Sequence, residues 1–152
     1  MRQALAIVAA ILLDGCSSMQ SANANGKMPE PEVTLEQTSS MPVAAEHITG
    51  GMPVGLRMSV TNRADIPITL QRAELRSLGS GAYDIANFQR SFGKAIEPGA
   101  TEVFEFFVNA DAGESAAGNN GAVAIRVTTV YDSKEGGFRN VVVSQVGAYG
   151  RR

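Results

Sequence analysis

Val54-Gly55-Leu56-Arg57-Met58-Ser59-Val60-Thr61-Asn62-Arg63-Ala64-Asp65-Ile66-Pro67-Ile68 decides the fold class of this chain. Val54, Leu56, Met58 and Val60 take alternate positions, with Gly55, Arg57, Ser59 and Thr61 between them. Successive side chains of a strand point to opposite faces, so this alternation describes a half-buried strand. Asn62-Arg63-Ala64-Asp65 supplies a turn, because Asn and Asp side chains bond their own backbone two residues on. Ile66, Ile68 and Leu70 then face inward, while Ala73 and Leu75 fall on the opposite parity. One extra residue near Gln71-Arg72 restores the phase, and a bulge or bend is expected there.

The same pattern continues on the C-terminal side. Leu78-Gly79-Ser80-Gly81 ends the second strand, and Tyr83 to Phe92 reads as a weaker, short-stranded section. Glu97-Pro98-Gly99 forms a tight turn, since Pro presets φ and Gly accepts positive φ. Thr101 to Asn109 is a strand expected to bury Phe104, Phe106 and Val108 and to turn Glu102 and Glu105 outward. After a polar loop, Ala110 to Gly121, the residues Val123, Ile125, Val127, Thr129 and Tyr131 line one face of a long strand. Asp132-Ser133-Lys134-Glu135-Gly136-Gly137 closes a hairpin into Phe138–Val146. Downstream of the leader no stretch has a 3.6-residue apolar repeat. The expected fold is all-β: a single antiparallel immunoglobulin-like β-sandwich of about six to eight strands, over residues 33–150. The runs Val60–Ile68 and Ile96–Thr101 resemble immunoglobulin- or fibronectin-III-like domains of bacterial envelope proteins. They are also similar to the water-stress and late-embryogenesis domain, the likeness covering roughly residues 50–146. Such a resemblance implies the sandwich and no particular activity.

Upstream, Ala4 to Leu13 is an unbroken apolar run behind Arg2, too short to span a bilayer and of the length of a secretory leader. It ends in Leu13-Asp14-Gly15-Cys16, which resembles the lipobox of bacterial lipoprotein signal peptides: Leu three before the cysteine and Gly one before it. The resemblance implies a signal peptide over residues 1–15, with Cys16 as the acylated (palmitate-bearing) first residue of the mature chain. It implies a lipid-anchored place in the cell envelope. Ser17, not an aspartate, follows the cysteine, which by analogy with enterobacterial lipoprotein sorting implies the outer membrane facing the periplasm. Residues 16–32 are poor in large apolar side chains and read as a flexible tether.

Composition narrows the chemistry. The net charge is −2, and no basic run interleaved with aromatics points to nucleic acid. Cys16 is the only cysteine, so an intramolecular disulfide is excluded. His47 is the only histidine, which removes multi-histidine metal sites, and nothing in the sequence marks a nucleophile for it to activate. Thioether and imidazole ligands suit Cu(I), which makes His47, Met41 and Met52 copper candidates, although Met58 is in phase with the buried stripe. The stretch Asn109 to Glu114 offers oxygen ligands but lacks the spacing and the carboxylate clamp of a calcium loop. No cofactor is expected.

Two surface features remain. Bases gather between Arg57 and Lys94 and acids between Ala95 and Gly121, which predicts either cross-strand pairing or a bipolar surface. If Phe104 and Phe106 point inward, Val103 and Phe107 point outward. Val130 likewise opposes Tyr131, and one of the pairs Val141/Val143 or Val142/Val146 must face out. Phe107, Val130 and Val103 are therefore partner-contact candidates. The sequence reads as a membrane-anchored, non-catalytic binding or assembly module working through protein contacts. The alternative is a small-ligand or copper-binding periplasmic or envelope protein.

Overall fold

The computed structural model describes residues 28–39, 51–79, 81–112 and 122–147. Within them lie eight strands: β1 (Glu32–Gln37), β2 (Met52–Thr61), β3 (Ile68–Ser77), β4 (Tyr83–Asp84), β5 (Phe88–Ile96), β6 (Thr101–Ala112), β7 (Val123–Ser133) and β8 (Gly136–Val146). The first sheet has the order β1-β2-β6-β4 and the second β5-β3-β7-β8. Every pairing is antiparallel. The result is the two-layer sandwich that alternating apolar strands form when each buries one face against the other.

The deciding stretch behaves as its pattern requires. Val54, Leu56, Met58 and Val60 of β2 are buried, as are Ile68, Leu70, Ala73 and Leu75 of β3 and Ile125, Val127 and Tyr131 of β7. Burying a side chain of this size fully stabilises by about 1.5–3 kcal/mol, so these layers hold the sheets together. The change of parity has its expected cause. On β3 the register to β7 passes from Leu70↔Tyr131 directly to Arg72↔Val130, leaving Gln71 as the extra residue. The edge strand β5 is displaced at the same level, from Leu70↔Lys94 to Arg72↔Ser91, and Gly93 there has φ 62°. The irregularity on β5 takes this positive φ at Gly93, which Gly adopts without steric cost.

Asn62 locks the two turns together. Its side chain, buried completely, donates to the Ile66 carbonyl (2.8 Å) and the Ile96 carbonyl (3.0 Å) and accepts from the Ala64 amide (2.9 Å). Its backbone donates to the Ala100 carbonyl and accepts from the Gly99 amide, each at 2.9 Å. One residue thus joins the β2–β3 turn to the β5–β6 turn, where Gly99 has φ 73° as the Pro-Gly reading requires.

The two sides of the sandwich close differently. Beside β1 and β8, buried Asn140 donates to the Pro31 carbonyl at 2.8 Å. Beside β5 and β6, Phe88 stacks on Phe106 (centroids 5.3 Å apart) and Phe92 tilts against Phe104 at 4.6 Å. The Arg90 guanidinium covers this cluster, 5.5 Å from the Phe92 ring centre.

Several sequence expectations need correction. Residues 28–32, inside the stretch read as tether, belong to the fold: Pro31 is buried, Met28 packs on the core, and β1 starts at Glu32. The section after Tyr83 contains a full nine-residue strand, β5. Strand β6 runs on to Ala112, so Ala110 is a buried strand residue, not the start of a loop. Phe104 is half-buried, and Glu102 shares its parity and reaches sideways to Lys94 instead of outward.

Candidate functional site

The outer face of the first sheet carries its charges in pairs. Glu36, Arg57 and Glu105 are in register across β1, β2 and β6. Arg57 donates from Nε and one terminal nitrogen to Glu105 Oε1, at 2.9 and 2.8 Å, and lies 4.0 Å from Glu36. The hydrogen bond to Glu105, with its charge, holds the guanidinium above its usual range. Arg63 pairs with Glu32 near the end of this face, and Lys94 bridges from β5 to Glu102 at 3.4 Å. Two pairs, Arg57–Glu105 and Lys94–Glu102, therefore join the basic segment of the sequence to the acidic one across strands.

Apolar side chains flank the Arg57–Glu105 pair along β6. Phe107 is 71% exposed and Val103 53% exposed. Phe107 is opposite Gly55, and a Cβ on Gly55 would come within 3.3 Å of its ring and 2.8 Å of Thr38 Oγ1. Glycine at position 55 therefore lets the ring lie against the sheet while its other face meets solvent. The Gly55 amide also donates to Ser39 Oγ at 2.7 Å, which fixes the backbone beneath the ring.

The outer face of the second sheet is arranged otherwise. Its central rows are Arg76–Arg126–Val143, Gln89–Glu74–Thr128–Val141 and Ser91–Arg72–Val130–Arg139. Glu74 is bound to Arg72, whose Nε lies 2.9 Å away. Arg76 and Arg126 are direct cross-strand neighbours, both exposed. An open depression of about 300 Å³ is lined by both arginines, Glu74, Asn87, Gln89 and Thr128. Val141 and Val143 are 44% and 57% exposed, which identifies the outward pair on β8.

The partner-contact candidates thus fall on opposite sides of the molecule. Val103 and Phe107 share the outer face of the first sheet, whereas Val130 lies half-buried on that of the second, between Arg72 and Arg139. The three cannot form one patch. Met52, a copper candidate, is 3% exposed and belongs to the core, where its thioether fills space between apolar neighbours. His47, Met41 and Cys16 lie outside the described residues. Among the described residues no three His, Cys, Asp or Glu side chains gather as a metal set would. Of the stretch Asn109 to Glu114, Asn109 to Ala112 belongs to β6 and the rest lies outside the described residues.

Among the described residues, two buried tyrosines are the strongly perturbed groups. Burial pushes the Tyr83 and Tyr131 hydroxyls each up to about 12. Tyr83 donates to Gln37 Oε1 at 3.0 Å, whereas the Tyr131 hydroxyl, whose shift the nearby Thr129 side chain partly offsets, makes no hydrogen bond of proper geometry among the described residues. Both face the core, away from the surface depression, and their role is structural. Sequence reasoning missed the Arg76–Arg126 juxtaposition; the two are fifty positions apart, and only the pairing of β3 with β7 brings them together.

No protein-family model matches this chain, and no curated protein matches it. Among solved structures it is similar to the X-ray structure of Northeast Structural Genomics Consortium target SoR45, with TM-score 0.55 and 11% identity over 81% of this chain and 88% of that one. A protein from Archaeoglobus fulgidus gives TM-score 0.48 at 10% identity, over 75% of this chain and 91% of that one. Spo0M, the sporulation control protein from Bacillus subtilis, gives TM-score 0.39 at 17% identity, over 80% of this chain and 51% of that one. The likeness to the first of these supports the sandwich fold and nothing further.

Proposed function

We propose that this chain is a lipid-anchored protein of the cell envelope, held by acyl chains on Cys16, whose sandwich is a non-catalytic binding module working through protein contacts. The observation that carries the reading is Phe107, a phenylalanine 71% exposed on a rigid sheet face, with exposed Val103 on the same strand. Exposed aromatics on a fixed scaffold are the side chains that anchor protein interfaces when a partner's pocket buries them. The ion-paired Arg57 and Glu105 between them supply a polar part of such a contact. The anchor confines the module to a surface and so raises its concentration relative to a neighbour there.

The anchor and the contact are tested separately, on the full chain in its own membrane. Metabolic incorporation of labelled palmitate should be lost in Cys16→Ala; incorporation that survives the change removes the anchor. A photoreactive phenylalanine analogue at position 107 should crosslink to a discrete protein partner, and the same analogue at Lys134, exposed at the β7–β8 hairpin, should not. Identical products from both positions, or none from position 107, would remove the first sheet's outer face as the contact.

A further inference from the structure

We propose that Arg76 and Arg126 form a binding site for a small carboxylate that carries a hydrogen-bond donor beside its carboxyl group, as a hydroxy acid or an amino acid does. The starting point is a cost. Like charges directly opposite on neighbouring strands repel, and here two arginines occupy that arrangement on an exposed face. Among the described residues Arg57, Arg63, Arg72 and Lys94 each have a carboxylate within 4.0 Å, and Arg90 lies over aromatic rings. Arg76 and Arg126 have no such partner among those residues, and neither do Lys134 and Arg139, but only Arg76 and Arg126 are direct cross-strand neighbours. The pattern on this sheet leaves two adjacent guanidinium groups whose charge an incoming anion would neutralise.

The surroundings define what that anion is. Guanidinium groups recognise a carboxylate through parallel N–H···O bonds, and two of them side by side favour an oxyanion over a halide. The depression they border, about 300 Å³, is at the small end of ligand-binding clefts and suits a molecule of a few heavy atoms. Asn87, Gln89 and Thr128 add neutral donors and acceptors along its wall. Glu74 also lines it, its carboxylate shared with Arg72 at 2.9 Å. A carboxylate on that wall repels a second negative charge and accepts a hydrogen bond from a hydroxyl or ammonium group. The site is therefore dipolar: cationic at Arg76 and Arg126, accepting at Glu74. That pattern selects a single carboxylate with an adjacent donor against a polyanion. This surface is opposite the one bearing Phe107, so the inference does not rest on the protein-contact reading.

The test is a titration of the full chain, followed by the backbone amide signals of residues on β3 and β7. The probes are lactate, propionate (the same size without the hydroxyl) and inorganic phosphate, each against chloride at matched ionic strength. Lactate should give saturable shifts at Arg76, Arg126 and Thr128, and propionate should bind several-fold more weakly. Arg76→Gln and Arg126→Gln should each weaken lactate binding by about tenfold or more, a change of about 1.4 kcal/mol. Arg139→Gln, on the same face but outside the depression, should leave it unchanged. The amide spectrum itself reports whether each variant is folded. No saturable shift with lactate, or equal effects of all three substitutions, overturns the site. Phosphate binding more tightly than lactate overturns the assignment to a carboxylate.

Discussion

On the outer face of the first sheet Arg57 sits between Glu36 and Glu105, whereas on the outer face of the second Arg76 sits against Arg126. Both arginines occupy outward positions of central strands in one sandwich. The first face has settled its electrostatics internally, and what it leaves open is apolar: Phe107 and Val103. The second leaves charge open and adds a depression beside it. The contrast teaches that strand chemistry alone does not determine what a β-sandwich surface offers. Register does, because it decides whether a carboxylate-bearing or another guanidinium-bearing residue has its Cβ directly opposite, roughly 4.5–5.5 Å away. An apolar face with matched charges suits a protein contact, and an unmatched cationic pair suits an anion.

Both faces exist only while the register does, so the first way to break the comparison is to remove what pins it. Asn62→Ala deletes three side-chain hydrogen bonds and leaves the Ile66 and Ile96 carbonyls and the Ala64 amide without this partner. Stranded buried groups cost more than the bonds they lose, and a destabilisation of about 2–4 kcal/mol is expected. Urea denaturation followed by far-ultraviolet circular dichroism measures it. A loss below about 1 kcal/mol would show that the core alone holds the two turns in place.

The layer between the faces contains its own contrast. Tyr83→Phe removes the donor to Gln37 and should cost about 1–2 kcal/mol; Tyr131→Phe removes a buried hydroxyl with no partner among the described residues and should be neutral or stabilising by up to about 1 kcal/mol. Both hydroxyls titrate higher in the folded protein, near 12, than their ordinary 10.0. The stability they contribute is therefore fully present below about pH 10 and is lost as pH rises towards about 12, since only the unfolded chain ionises readily there. Denaturation midpoints measured across that window should fall, and the fall should shrink in Tyr131→Phe. A midpoint that stays level would mean that neither hydroxyl is held away from water.

How much of this was legible in the sequence follows from what each feature depends on. The bulge at Gln71 could be read because Ile66, Ile68 and Leu70 before it and Ala73 and Leu75 after it disagree in parity. The outward direction of Val103 and Phe107 followed from the inward direction of Phe106 in the same way. Strand β1 escaped notice because only Val33 and Leu35 mark its inner face. The third inward residue is Gln37, whose burial is tolerable only because Tyr83 bonds its side chain. Strand β5 lay hidden because it is an edge strand whose inward positions alternate Phe88, Phe92 and Ile96 with Arg90 and Lys94, which breaks the apolar alternation of a strand. The Arg76–Arg126 pair had no local signature, since its meaning resides in the pairing of two strands distant in sequence. Patterns along one strand are legible; neighbours across strands are a property of the fold.

The smallest expected effects test the comparison most directly. Arg57→Gln removes a cation between two carboxylates and should lower the melting temperature slightly; Arg76→Gln removes one of two like charges and should raise stability by about 0.5 kcal/mol. Opposite signs from the same chemical change, on two exposed positions of one sandwich, are the signature of opposite neighbours. Both shifts should shrink in about 1 M salt, where the screening length falls to about 3 Å. The double variant should show the sum of the two, because the faces are separated by the whole core and share no partner. A stability loss in Arg76→Gln as large as that in Arg57→Gln would mean that Arg76 has a compensating contact of its own. The second face would then be as electrostatically settled as the first, and the reason to expect an anion there would go with it.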